Sequence, residues 1–257
     1  MKNTFALIAI LSALTLTACG GGGGGSDSPV SVNQPSNGGN PVVNPNQPLN
    51  YDYAIFENGK RVDGPSWADN AEPTYPQNRL NIMNLDGRNL EILPTGVTGS
   101  IVSLEDKSKG IRKTVGGNLS YARYGIISYD KEKKDYVFFQ GIPSVSIPKS
   151  GTATYKGYAV AIRPADRVIS KGTSSFSVDF TNKTLTGEIK TEKFGDFVFN
   201  QGTIDKDDSF YIKDDKNLIG YGEFAGTNAA EMAGEFSQRD ASNPKNDIYG
   251  TFGAKKQ

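Results

Sequence analysis

The chain has 257 residues, with 28 lysines and arginines against 28 aspartates and glutamates, no histidine and one cysteine. Without histidine there is no Ser-His or Cys-His nucleophile, no histidine-containing zinc site and no histidine ligation of haem. The balanced charge leaves no basic footprint for nucleic acid, and a single cysteine allows no internal disulfide, so stability has to come from packing.

The first residues carry Lys2, an apolar run from Phe5 to Leu16 and then Leu16-Thr17-Ala18-Cys19, the order of regions in a secretory signal. The run is shorter than the roughly 20 apolar residues a spanning helix needs, and Gly20 to Gly25 cannot continue it. Residues 1–18 are therefore expected to be a signal peptide and Cys19 to carry lipid, anchoring the chain to a membrane through acyl chains that each contribute about 0.8 kcal/mol per buried methylene. Loss of Lys2 with the signal leaves the mature chain slightly acidic.

Residues 19–50 are mainly Gly, Asn, Pro, Ser and Val, with almost no charge and no aromatic residue. Such a segment cannot bury enough surface to offset its ordering entropy and reads as a tether. Gly20 follows the cysteine, in place of the aspartate that commonly retains lipoproteins at the inner membrane. The expected location is the outer membrane, with the body held outward.

From Tyr51 to about Gly96, aromatics mix with the turn pairs Asn58-Gly59, Asp63-Gly64 and Asp86-Gly87, which fits short strands better than helices. Strands are predicted at Ser100 to Leu104, Ala122 to Tyr129 and Tyr136 to Gly141, with Tyr129 to Asp135 as a charged hairpin tip. Trp67, Tyr121, Arg123, Tyr124, Tyr136 and Phe138 are of the residue types enriched at interface hot spots and are the candidate partner-binding residues. The competing reading makes alternate members core.

From Thr152 the pattern is plainer. Strands are predicted at Thr152 to Arg163, Ser174 to Phe180, Thr184 to Lys190, Asp196 to Ile204, Ser209 to Lys213, Leu218 to Phe224, Glu231 to Ser237 and Ile248 to Ala254. Eight short strands argue for a sandwich or barrel. Phe176, Val178 and Phe180 share a face, as do Leu185, Gly187 and Ile189, Phe197 and Phe199, Met232, Gly234 and Phe236, and Ile248, Gly250 and Phe252. Glycines alternating with large side chains fill a narrow interior, so a packed barrel is expected in preference to a ligand cup.

Little else in the chain suggests chemistry. Ser146-Ile147-Pro148-Lys149 fits a Ser-x-x-Lys pattern, and Lys149-Ser150-Gly151 resembles its companion motif. Both use the same lysine, and Pro148 opposes the helix the serine needs. Asp205 to Asp208 resembles a calcium loop only until Phe210 and Lys216 replace the required glycine and glutamate. Asn182-Lys183-Thr184 matches a glycosylation acceptor that a bacterial lipoprotein has little use for. No enzyme activity and no cofactor are expected.

The order of lipobox, tether, irregular β-region and eight-strand unit resembles the transferrin-binding protein B-like family of surface lipoproteins, which includes factor H-binding protein and the haemophilins. The resemblance rests on Phe139-Gln140-Gly141-Ile142-Pro143-Ser144 with Ile147 to Gly157, on Phe180 to Gly187, on Gly226 to Phe236, and on the ending Gly250 to Gln257. It implies an all-β chain with a handle domain at 51–150 and an eight-stranded antiparallel barrel at 151–257. It further implies export by an outer-membrane surface lipoprotein assembly modulator and binding of a host protein or small ligand, in colonisation or nutrient acquisition. The alternatives are capture of haem or a metal chelate through handle tyrosines, and a structural lipoprotein facing the periplasm.

Overall fold

The computed structural model describes residues 49–62, 80–205, 208–214 and 217–257. Eight strands form a closed antiparallel barrel: β9 (Thr152–Arg163), β10 (Val168–Asp179), β11 (Thr184–Thr191), β12 (Gly195–Ile204), β13 (Ser209–Lys213), β14 (Leu218–Ala225), β15 (Glu231–Gln238) and β16 (Ile248–Lys256). Each is paired to its neighbour in sequence, and β16 closes against β9. The expected limits hold within a residue or two at most strands. The exception is β10, which begins at Val168 because its first half continues the hairpin, pairing Val168 to Thr173 with Arg163 to Tyr158.

The barrel interior is filled. Phe176, Phe197, Phe199, Phe210, Phe224, Phe236 and Phe252 are buried in one cluster, each contributing about 1.5–3 kcal/mol by removal from water. They fit because rings face glycines across the strands. Phe176 is registered with Gly187, Phe210 with Gly222, Phe252 with Gly234, and Phe236 with both Gly220 and Gly250. A methyl group on Gly187 would overlap the Phe176 ring, and one on Gly250 would overlap Phe236. The rings of Phe176 and Phe252 pack at 4.7 Å between centroids and those of Phe197 and Phe236 at 4.9 Å. The expectation of a packed barrel is met.

Ahead of the barrel lies a six-stranded sheet ordered β2-β1-β8-β7-β6-β5. Its strands are β1 (Asn50–Glu57), β2 (Lys60–Val62), β5 (Val102–Asp106), β6 (Ile111–Gly116), β7 (Ala122–Tyr129) and β8 (Lys134–Gly141). A separate hairpin, β3 (Ile82–Leu85) and β4 (Arg88–Glu91), covers its outer face, placing Met83, Leu85, Ile92 and Leu93 against Val115, Ile127, Tyr136 and Phe138. At the β1–β2 turn both Asn58 and Gly59 have positive φ, 49° and 79°, the conformation two-residue hairpins select Asn-Gly for.

The inner face of this sheet lies on the barrel. Phe56, Ile126 and Val137 pack on Val160, Ile162 and Tyr249, while Tyr124 and Phe139 pack on Ala225 and Ala233. Small barrel residues let the sheet approach closely, and a Cβ at Gly253 would strike the Tyr124 ring. Strands β7 and β8 are thus covered on both faces, and every residue of Ala122–Tyr129 is buried. Between β8 and β9, Pro143 bridges to Ala225, and Ser144 both donates its N–H to the Phe224 carbonyl and accepts the Ala229 N–H at its Oγ.

Candidate functional site

The structure reassigns most of the candidate partner-binding residues. Arg123, Tyr124, Tyr136 and Phe138 are buried and offer no surface to a partner. Arg123 donates from Nε to Asn81 Oδ1 and from Nη1 to the Leu119 and Ala122 carbonyls at 2.6–2.8 Å, pinning the segment that enters β3. The Tyr124 hydroxyl donates to Asn118 Oδ1 at 3.0 Å, and the Phe138 carbonyl accepts from Thr251 Oγ1 of the barrel. The physical reason is the double covering of β7 and β8. Tyr121 is half-buried, with its ring against Gly226. Cys19 and Trp67 lie outside the described residues, as does Asp63-Gly64.

The two sheets are fixed to each other by polar groups at opposite ends of their contact. At one end, Glu231 accepts the backbone N–H groups of Ser120 and Tyr121, both at 2.7 Å. Burial pushes the Glu231 carboxyl up, and these two hydrogen bonds with Arg123 oppose the push. At the other end, Arg167 in the β9–β10 turn pairs with Asp135 and Asp130 of the β7–β8 hairpin. Beneath β1 sits a group of carboxyls. Glu223 accepts from Asn50 Nδ2 at 2.9 Å and from the Tyr221 hydroxyl at 3.0 Å. Burial raises Asp52 and Glu223, and it raises Glu235 to about 8. Among the described residues, no group of three or more potential ligands is arranged to hold a metal ion.

The surface feature that this architecture creates is a groove of about 260 Å³ where the β1–β2 turn meets two barrel connections. Phe56 and Tyr249 form its apolar floor, 4.6 Å apart between ring centroids. Lys60 and Arg61 line it from the handle side, and Ala165 and Lys245 from the barrel side. Gly59 closes one wall so tightly that a Cβ there would stand 3.0 Å from both the Pro164 carbonyl oxygen and Ala165 Cα. The Arg61 guanidinium lies 5.9 Å from the Tyr249 ring centre, within reach of a cation–π attraction. Lys60 and Lys245 are exposed and, among the described residues, make no ion pair. Apolar walls with cations at the rim supply the chemistry of binding. None of these residues stood out in the sequence, because positions 60, 165 and 245 meet only through the topology. The one local signal was the pair Lys60-Arg61 directly after an Asn-Gly turn.

Residues 147–256 match the family model for the C-lobe and N-lobe beta barrels of Tf-binding protein B. An uncharacterized protein of Haemophilus influenzae (strain KW20 / Rd) is 27% identical, with 97% of each chain covered. Among solved structures, the intact Ap-TbpB with N and C lobes shares the fold at a TM-score of 0.55 and 20% identity, over 80% of this chain and 46% of that one. The chain therefore spans about half the length of that protein. HpuA from Kingella denitrificans, solved in complex with human haemoglobin, aligns at a TM-score of 0.52 and 13% identity over 82% of this chain and 85% of its own. Residues 147–256 are thus a barrel of the kind found in the lobes of Tf-binding protein B, and the described strands share the fold of that protein's solved structures.

Proposed function

We propose that this chain is a lipoprotein of the outer membrane, anchored through Cys19, that displays a handle (51–150) and a barrel (151–257) at the cell surface to bind a host protein. The role is host colonisation or nutrient acquisition, and the activity is binding without catalysis. The observation that carries this reading is the filled barrel. With aromatic rings occupying its interior, recognition has to use the outer surface, where the junction groove lies. The family supports the partner class, since one relative is named for transferrin and another was solved with haemoglobin. An outer-membrane assembly modulator would carry the body outward.

Capture of haem by the chain itself has less support. The groove of 260 Å³ lies below the roughly 300–1,000 Å³ of small-molecule pockets, and the concavity of about 530 Å³ between Asn217, Gln238, Asp240 and Asn246 has no aromatic or apolar wall beyond Ala241 to hold a porphyrin. Titration of the purified protein with hemin is expected to give no saturable Soret change.

Protease treatment of intact cells tests the display. The folded part is expected to be removed while periplasmic markers survive, and Cys19→Ala is expected to release the protein from the membrane fraction. Protection until the outer membrane is opened would replace this reading with a structural lipoprotein facing the periplasm.

A further inference from the structure

We infer that the groove between the β1–β2 turn and the β9–β10 and β15–β16 connections is the docking site for a protein segment that presents an acidic side chain beside an apolar one. The inference rests on the host-binding reading for its class of partner and adds the chemistry by which that partner is held.

Size, charge and shape each narrow the occupant. At about 260 Å³ the groove admits one or two side chains, the scale of an interface anchor in a desolvated pocket. Lys60, Arg61 and Lys245 surround it against a single acidic residue, Asp247, which lies in its wall and accepts the Asp240 N–H at 2.8 Å. The unmatched charge is therefore positive, and its complement is a carboxylate. Arg61 has Asp52 and Glu235 behind it, and burial raises both carboxyls, Glu235 to about 8, which weakens their hold on the guanidinium charge beside the groove.

The floor distinguishes a protein segment from a plain polyanion. Phe56 and Tyr249, with Pro164, Ala165 and Pro244 around them, give an apolar bed that a bare phosphate or sulfate group does not use, whereas they match an aliphatic or aromatic side chain next to the carboxylate. The walls are also preorganised. Asn58 N–H donates to the Lys133 carbonyl, and Arg167 ties the β9–β10 turn to Asp135, so little ordering entropy remains to be lost on docking.

The test is selection of a random 12-residue peptide library on phage against the full-length protein in detergent, followed by affinity measurement with synthetic copies of the enriched peptides. Enriched sequences are expected to place Asp or Glu beside an apolar residue. Lys60→Glu and Lys245→Glu should each weaken their binding at least tenfold, and Ala165→Trp should do so by filling the groove without changing charge, with circular dichroism and melting unchanged. Enrichment of peptides without an acidic residue, or affinity for all three variants equal to that for the unaltered protein, would overturn the inference. So would competition by phosphatidylglycerol vesicles, which would assign the cations to a membrane. Self-association that disappears in the variants would likewise overturn it, by giving the groove to a second copy. Because binding is measured on purified protein, its outcome is independent of the protease result that decides the display.

Discussion

Arg167, in the turn between two barrel strands, and Asp135, buried in handle strand β8, form a two-pronged ion pair in which Nε and Nη2 each donate to a different carboxylate oxygen at 2.8 Å. A third nitrogen, Nη1, lies 3.1 Å from Asp130, which in turn holds Arg112. The Asp135 side chain is wholly removed from solvent. Breaking a buried pair by removing one partner leaves an uncompensated charge and costs about 3–5 kcal/mol. Arg167→Met should accordingly lower the unfolding free energy by about 3 kcal/mol or more in urea denaturation. Arg167→Met combined with Asp135→Asn should cost less than the two single changes added together.

Glu231 secures the opposite end of the joint. Both its oxygens are committed to consecutive amides, those of Ser120 and Tyr121, and hydrogen bonds to a charged acceptor are worth about 1.5–3 kcal/mol each against loss of the partner. Glu231→Gln keeps one acceptor and turns an NH₂ group toward the second amide. A loss of about 2 kcal/mol is expected in thermal unfolding, with hydrogen exchange at Ser120 and Tyr121 accelerated tenfold or more relative to the barrel strands.

What was legible in the sequence follows from how each strand is covered. Barrel strands with one wet face alternate, so β9 and β13 were readable to the residue and the inward sets Phe176-Val178 and Phe197-Phe199 were readable as core. Strand β6 escaped notice because Ile111-Arg112-Lys113-Thr114 reads as charged. Its arginine is engaged by Asp130, and Lys113 Nζ reaches the Glu91 carbonyl. Strands β7 and β8 carry Arg123, Tyr124, Tyr136 and Phe138, types enriched at interfaces, which suggested an exposed face, yet the barrel covers one side and the β3–β4 hairpin the other. Arg123 and Tyr136 became interior for that reason. The groove left only the Lys60-Arg61 pair after its Asn-Gly turn as a trace, since its lysines at 60 and 245 are brought together only by the packing of the six-stranded sheet on the barrel.

The carboxyls under β1 set the pH response. Burial raises the folded-state values of Glu235, Glu223 and Asp52, and of Glu231 at the end of the joint, so above the ordinary carboxylate range the folded protein holds protons that the unfolded chain releases, up to about 8 for Glu235. Stability from these groups is complete below the unfolded value and is lost as pH rises through the folded ones. Each pKa unit corresponds to about 1.4 kcal/mol, so the movement of Glu235 alone from 4.5 to about 8 is on the order of 5 kcal/mol. Asp86 and Asp130 act oppositely. Hydrogen bonds to Lys134 and to Arg112 hold them low, and their stabilisation is lost as pH falls below the unfolded aspartate range. Urea denaturation should therefore show a more stable protein at pH 5 than at pH 8, and Glu235→Gln should flatten that slope.

Gly187 and Phe176 give the most local test of the barrel interior. They are registered partners on β11 and β10, and any Cβ at 187 overlaps the ring. Phe176 cannot withdraw, because its other side meets Phe252 at 4.7 Å between centroids. Overpacking of this kind costs about 1–3 kcal/mol, so Gly187→Ala should lower the melting temperature clearly although it adds a single methyl group. Phe176→Leu alone should also destabilise, by leaving a space beside Gly187. In the double variant the added methyl enters that space, and the two losses should partly cancel in a double-mutant cycle. Strict additivity would mean that the ring and the glycine do not constrain each other, and that some other contact sets the glycine at 187.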